Sequence, residues 1–193
     1  MSKAPSYRSM WPTYAKQWDA MEITKPKTVT AVAKRLVAAK DRYVAVEKIT
    51  GVPWYMIACI HERESSQSWL RSLAQGDRWD RVSTHVPKGR GPFKSWEEAA
   101  IDALEYEKLT KVQDLRLEKV MYYWEGYNGW GYYNYHNKMP SPYLWGASSI
   151  QVRGKYTGDG VWDSTEMDEQ IGCCSMLKAM MALDSSINPQ RED

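Results

Sequence analysis

Apolar positions recur at helical spacing in five stretches of the chain. From Thr28 to Ile49 they are Val29, Val32, Ala33, Leu36, Val37, Tyr43 and Val44, which fall on one face and predict a first helix. Gly51-Val52-Pro53 interrupts that pattern. Pro53 suits the first turn of a second helix, where its missing N–H costs nothing. This second helix, about 53–66, is apolar from Trp54 through Ile60, which predicts burial on most sides. Ser95-Trp96-Glu97-Glu98 is a capping box that opens a third helix running to about Glu107. A fourth is predicted over about 112–125, with Leu117, Val120, Met121 and Trp124 on one face. A last one, about 165–184, aligns Met167, Ile171, Cys174, Leu177 and Met181; a core stripe explains that face better than a membrane-active one.

Between these elements the pattern changes. Residues 1–27 are polar, aromatic and spotted with Pro5, Pro12 and Pro26, and predict an irregular arm that packs Trp11, Tyr14 and Trp18 on the body. Residues 75–94 are rich in Gly, Pro, Arg and Asp. With Thr84-His85-Val86 as a short strand and 87–92 as a turn, they predict a small β-hairpin or irregular lobe. Residues 126–163 are a long Gly-, Tyr-, Asn-, Trp- and Pro-rich stretch, and a loop of that length inside a compact domain is usually functional. The expected fold class is therefore mainly α, two-lobed, with a small β-hairpin or irregular lobe. The arm covers 1–27 and one domain covers 28–193.

Composition narrows the class of function. The net charge is +2, which gives no nucleic-acid signal over the whole chain. Residues 1–40 hold eight Lys/Arg and two acids, and residues 159–193 hold eight acids and two Lys/Arg. Mutual attraction of the two ends explains this; a basic face for an anionic polymer is the other reading. Ten Trp and thirteen Tyr stand against a single Phe, a balance that suits stacking on sugar faces or on single-stranded nucleic acids as well as core packing, and the modest net charge argues against the nucleic-acid reading. Cys59, Cys173 and Cys174 are a poor disulfide framework and fit a reducing compartment. The amino terminus has no apolar signal segment, and no run of about 18 apolar residues predicts a membrane span. His61, His85 and His136 lack metal-ligand spacing, so no metal site is expected. Asp159 as a calcium ligand lacks surrounding oxygen donors.

Glu64 stands out chemically. Ile60 lies four residues before it and Ile57 seven, so a carboxyl group ends an apolar stripe at the C-terminal edge of a buried helix. Burial and the negative end of the helix dipole both favour its protonated form. A protonated carboxylic acid is what cleavage of a glycosidic bond requires. The structural alternative is an ion pair with Arg63, Arg71 or His61. Asp77, thirteen residues on, and Ser83 supply a carboxylate and a hydroxyl on a loop, a pair suited to holding water. Asp80 is a rival for that carboxylate, and a turn-capping role is open for either.

Read in order, His61-Glu62-Arg63-Glu64-Ser65-Ser66, Gly76-Asp77, Val86-Pro87-Lys88-Gly89-Arg90 and Trp96 through Leu104 resemble phage and prophage endolysins of the lysozyme superfamily. So do Tyr127-Asn128-Gly129-Trp130-Gly131-Tyr132, Ser141 through Trp145, and Gly154-Lys155-Tyr156, so the resemblance runs from about residue 40 to 163. It implies that Glu64 is the acid of a Glu-Ser pair. Phage lysozymes follow that Glu in the pattern E-x8-D-x5-T; here the run is Glu64-x12-Asp77-x5-Ser83, four residues longer in the first gap and with Ser for Thr. The Tyr127-Asn128-Gly129 run is similar to the groove of lytic transglycosylases, which use one Glu and no water-activating Asp. The resemblance thus implies a lysozyme-like domain with catalytic Glu64, Asp77 and Ser83. It also implies substrate contacts from Tyr127, Asn128, Trp130, Tyr132 and Trp145. Peptidoglycan glycan strands are the expected partner, with no cofactor, no nucleic acid, no stable membrane insertion and a monomeric state. Synthesis in the cytoplasm and release to the wall through a separate pore complete the expectation.

Overall fold

A computed structural model describes residues 3–192 apart from residues 75, 86, 113 and 159. Val86, assigned above to a strand, and Asp159, weighed as a calcium ligand, therefore lie outside the described residues. The fold is mainly α with one small two-stranded antiparallel sheet.

The elements follow the apolar pattern closely in the middle of the chain and depart from it at the ends. α1 spans Tyr7–Ala20, where an irregular arm was expected. Met10, Tyr14 and Trp18 recur every four residues, and all three are buried. Burying such a stripe, roughly 1.5–3 kcal/mol per large apolar side chain, outweighs the backbone bond lost at Pro12. The single helix expected over 28–49 is two, α2 at Pro26–Ala38 and α3 at Lys40–Thr50. A tight turn at Ala39 separates them, closed by Ala39 N–H to Leu36 O at 3.2 Å and Arg42 N–H to Ala39 O at 3.1 Å. α4, Trp54–Ser65, and α5, Trp96–Tyr106, start where the sequence signals them. Ser95 Oγ accepts from the Glu98 N–H at 3.1 Å, while the Glu98 carboxylate accepts from the Lys94 N–H at 2.6 Å.

A short 3-10 turn at Leu109–Lys111 precedes α6, Leu117–Asn128, which begins five residues later than expected. The stretch 126–163 is largely structured rather than a loop. It holds α7 (Gly131–Tyr135), α8 (Pro142–Trp145), β1 (Lys155–Gly158) and β2 (Val161–Asp163). Tyr156 pairs with Trp162 across the two strands. The hairpin thus lies here, and the described part of 75–94 is irregular, with an isolated β-bridge pairing Arg71 with Arg78. α9, Cys173–Leu183, starts eight residues late and leaves Met167 outside the helix. The reason is a close backbone crossing: a Cβ on Gly172 would sit 2.4 Å from Gly146 N, and the Gly172 N–H bonds Gly146 O at 2.9 Å. That crossing holds the chain extended just before the helix.

By contacts the chain divides into two compact units, Met1–Ala33 with Arg116–Asp193, and Lys34–Leu115. The first has a core of Met10, Tyr14, Trp124, Trp145, Met176 and Leu177; the second buries Tyr43, Met56, Ile57, Ile60, Trp96 and Leu104. All three cysteines are buried thiols, and no helix of the described residues is long and apolar enough to cross a membrane.

Candidate functional site

The seat of Glu64 is built within the second unit. α4 is buried from Trp54 to His61 and emerges from the core over its last turn, where Glu62, Arg63 and Glu64 are half-buried. A hydrogen-bond chain fixes that turn. Gln67 Nε2 donates to the Tyr43 hydroxyl at 3.1 Å, which lies 3.0 Å from His61 Nδ1. His61 Nε2 in turn reaches Ser68 O at 3.0 Å. A neutral imidazole with its proton on Nε2 satisfies every member of the chain. Burial pushes His61 down to about 4, which keeps it neutral. Trp69 and Trp96 pack on its ring with centroids 4.7 and 4.6 Å away. His61 is therefore a core residue whose polar atoms are satisfied. Glu62 pairs with Arg35 at 3.2 Å; burial raises its carboxyl, and the guanidinium opposes that rise.

The irregular segment meets α4 at Gly76. Its φ is +66°, and a Cβ there would lie 2.7 Å from the Glu64 carbonyl oxygen, so only glycine allows this approach. Arg71 Nη1 donates to Gly76 O at 2.7 Å, and the Ser72 N–H to Asp77 O at 2.7 Å. Asp77 is thus delivered directly after the residue that touches the Glu64 backbone. Gly76→Ala should cost about 2–4 kcal/mol, combining left-handed strain with the clash. Urea denaturation reads this; a loss below about 0.5 kcal/mol would mean that the segment does not rest on α4.

Asp77 is the centre of a compact polar network. Ser83 Oγ donates to its Oδ2 at 2.6 Å, the His85 N–H approaches the same oxygen at 3.2 Å, and His85 Nδ1 lies 2.6 Å from Oδ1. Burial raises the Asp77 carboxyl, but the bonds from Ser83 and His85 outweigh it and hold the group below the usual carboxylate range. Asp77 is ionised at neutral pH, with both oxygens engaged. A gap of about 10 Å³ beside Asp77 and Ser83 has room for about one water molecule. The segment closes on itself through Ser83 N–H to Arg90 O at 2.8 Å, and Arg90 is anchored to Asp102 of α5 by an ion pair. Asp80 is turned to other work. It forms a two-point pair with Arg78 at 2.9 and 2.5 Å on the surface, and those bonds lower its carboxyl.

The first unit holds the residues expected to contact substrate, and it buries most of them. Tyr127 is half-buried and Asn128 exposed at the end of α6. Trp130 packs on Tyr122 at 4.7 Å and is 7% exposed. Tyr132 lies among His136, Tyr156 and Trp162, and Trp145 is 1% exposed. Trp130 and Tyr132 are thus packed among other rings, and Trp145 is almost fully buried. A Trp or Tyr offers the same apolar ring to a core as to a ligand.

Asp77 and Ser83 are brought together as the spacing suggested, with His85 added, which sequence reasoning had weighed only as a metal ligand. Ser83 and His85 both reach Asp77, Ser83 through its hydroxyl and His85 through its main-chain N–H and its ring. The arrangement joins an ionised carboxylate, a hydroxyl and an imidazole whose Nε2 is left for solvent or ligand, with the His85 side chain 67% exposed. Among the described residues no group of three His, Cys, Asp or Glu is placed to hold a metal ion. No family model, curated protein or solved structure matches the chain.

Proposed function

We propose that the chain is a peptidoglycan hydrolase that cleaves the β-1,4 bond between N-acetylmuramic acid and N-acetylglucosamine. The observation that carries this reading is the contact of Gly76 with the Glu64 backbone. It sets the Asp77–Ser83–His85 network beside the end of the helix that bears Glu64. Glu64 itself is half-buried on the last turn of that helix. An ionised Asp77 stands on the polar side.

In this mechanism Glu64 donates its proton to the bridging oxygen as the glycosidic C–O bond breaks. Water adds to the anomeric carbon and loses a proton to the Asp77–His85 pair. His85 Nε2 accepts that proton while Asp77 orients the ring through Nδ1 and stabilises the resulting charge. The resemblance of the Glu64-Ser65 and Tyr127-Asn128-Gly129 runs to wall-cleaving enzymes supplies the substrate class.

A second reading, lytic transglycosylase, draws on one observation. Both oxygens of Asp77 are already engaged, so the carboxylate itself is not free to take a proton from water. In that case the sugar's own hydroxyl closes the ring and Glu64 does all the proton transfer.

The test is mass spectrometry of fragments released from purified peptidoglycan by the intact protein, Glu64→Gln and Asp77→Asn. Hydrolysis predicts reducing-end products and a loss of about 10²–10⁴-fold in Asp77→Asn. Anhydro products with Asp77→Asn active within a few-fold would establish the transglycosylase reading instead. Binding to the wall without any released fragment from the intact protein would make the chain a non-catalytic wall binder and end the proposal.

A further inference from the structure

The first unit contains a cavity of about 140 Å³ between α1 and the segment that follows α7. Its floor is Glu125 of α6, which is only 3% exposed. Tyr14 donates to Glu125 Oε2 at 2.5 Å, the one hydrogen bond the carboxyl makes among the described residues. A carboxylate has room for about four such bonds. Most of its acceptor capacity is thus unmet, and the group lines an open cavity. Met10, Met139 and Trp145 form apolar walls, and Lys138 stands exposed at the rim.

These features select a ligand. A buried carboxylate with one partner is costly, and a desolvated cation with several N–H donors relieves that cost most directly. The thioether and indole walls suit an alkyl chain. The rim ammonium suits an anion at the far end of that chain. The volume is close to that of an engineered cavity, about 150 Å³, that holds benzene, so the ligand is small. We propose that this cavity binds a short ω-amino acid. Its ammonium meets Glu125, its methylenes lie along Met10, Met139 and Trp145, and its carboxylate pairs with Lys138. The site lies wholly within the first unit and does not rest on the reading of Glu64.

Calorimetric titration of the intact protein with δ-aminovalerate, n-pentylamine and valerate tests this. The buffer should be at about pH 8, above the value of about 7 to which burial pushes Glu125. The amino acid should bind, pentylamine about tenfold more weakly, and valerate not measurably. Glu125→Gln keeps an acceptor for Tyr14 and should weaken both amines tenfold or more. Lys138→Ala should bring the amino acid down to the level of pentylamine. Thr13 is exposed at the cavity wall, so Thr13→Trp should block entry without touching the Glu125–Tyr14 pair. It serves as the test should Glu125→Gln fail to fold. The proposal is overturned if neither amine binds, if valerate binds as well as pentylamine, or if binding survives unchanged in Glu125→Gln or Thr13→Trp.

Discussion

Glu64→Gln should lower the release of peptidoglycan fragments by about 10²–10⁴-fold while leaving the thermal midpoint within about a degree of the parent. The amide fills the same volume and hydrogen-bonds, but it has no proton to give to a leaving oxygen. A loss of that size corresponds to about 3–5 kcal/mol of transition-state stabilisation. The fold should tolerate the change because Gln keeps the volume and the hydrogen-bonding capacity of the side chain. The close approach of Gly76 to the Glu64 carbonyl is untouched by it, and the residue is half-buried on the last turn of α4. Sedimentation with insoluble cell wall should show binding retained. Two outcomes would sink the assignment: fragment release within about threefold of the parent, or a midpoint that drops by several degrees, which would mark Glu64 as part of the packing.

Hydrogen exchange should show the two units responding to acid in opposite directions. Burial pushes Glu125 from 4.5 up to about 7, with the Tyr14 bond opposing the rise. Between those values the folded chain holds a proton that the unfolded chain has lost. Stability of the first unit therefore falls as pH rises through that window, by about 3 kcal/mol in all. Burial pushes His61 the other way, from 6.5 down to about 4. Here the unfolded chain holds the extra proton, so stability of the second unit falls as pH drops from about 6.5 to 4, by a similar amount. After correction for intrinsic exchange, amides of α6 should be better protected at pH 5 than at pH 7, and amides of α4 worse. Glu125→Gln should flatten the first trend and leave the second. Parallel trends in both helices, or an unchanged slope in Glu125→Gln, would show that these two groups do not govern the pH response.

The parts of the fold legible in the sequence were those whose local signals and burial agree. α4 is apolar from its first residue and follows a helix-breaking Gly-Val-Pro, and α5 carries its own Ser95 cap. Asp77 and Ser83 were legible as a pair because their spacing is short and the segment between them is turn-rich. What was missed depends on contacts distant in sequence. α1 looked irregular because Pro12 argues against a helix locally, whereas Tyr14 is fixed by Glu125, 111 residues away. The late start of α9 follows from the crossing of Gly172 and Gly146, which no periodicity announces. The depth at which Trp130, Tyr132 and Trp145 are buried was not legible either, because composition reveals that rings are numerous but not which way they face.

The three cysteines, unremarkable as chemistry, give the molecule a built-in stopwatch. Cys59 sits in one unit and Cys173 and Cys174 in the other, each with no accessible surface. Burial also holds the Cys174 thiol well above its ordinary value, which leaves almost no reactive thiolate in the native state. An alkylating reagent can therefore modify them only when the surrounding helices open. Peptide mapping of the alkylated sites over time would then time the opening of each unit separately, with no label or substitution introduced.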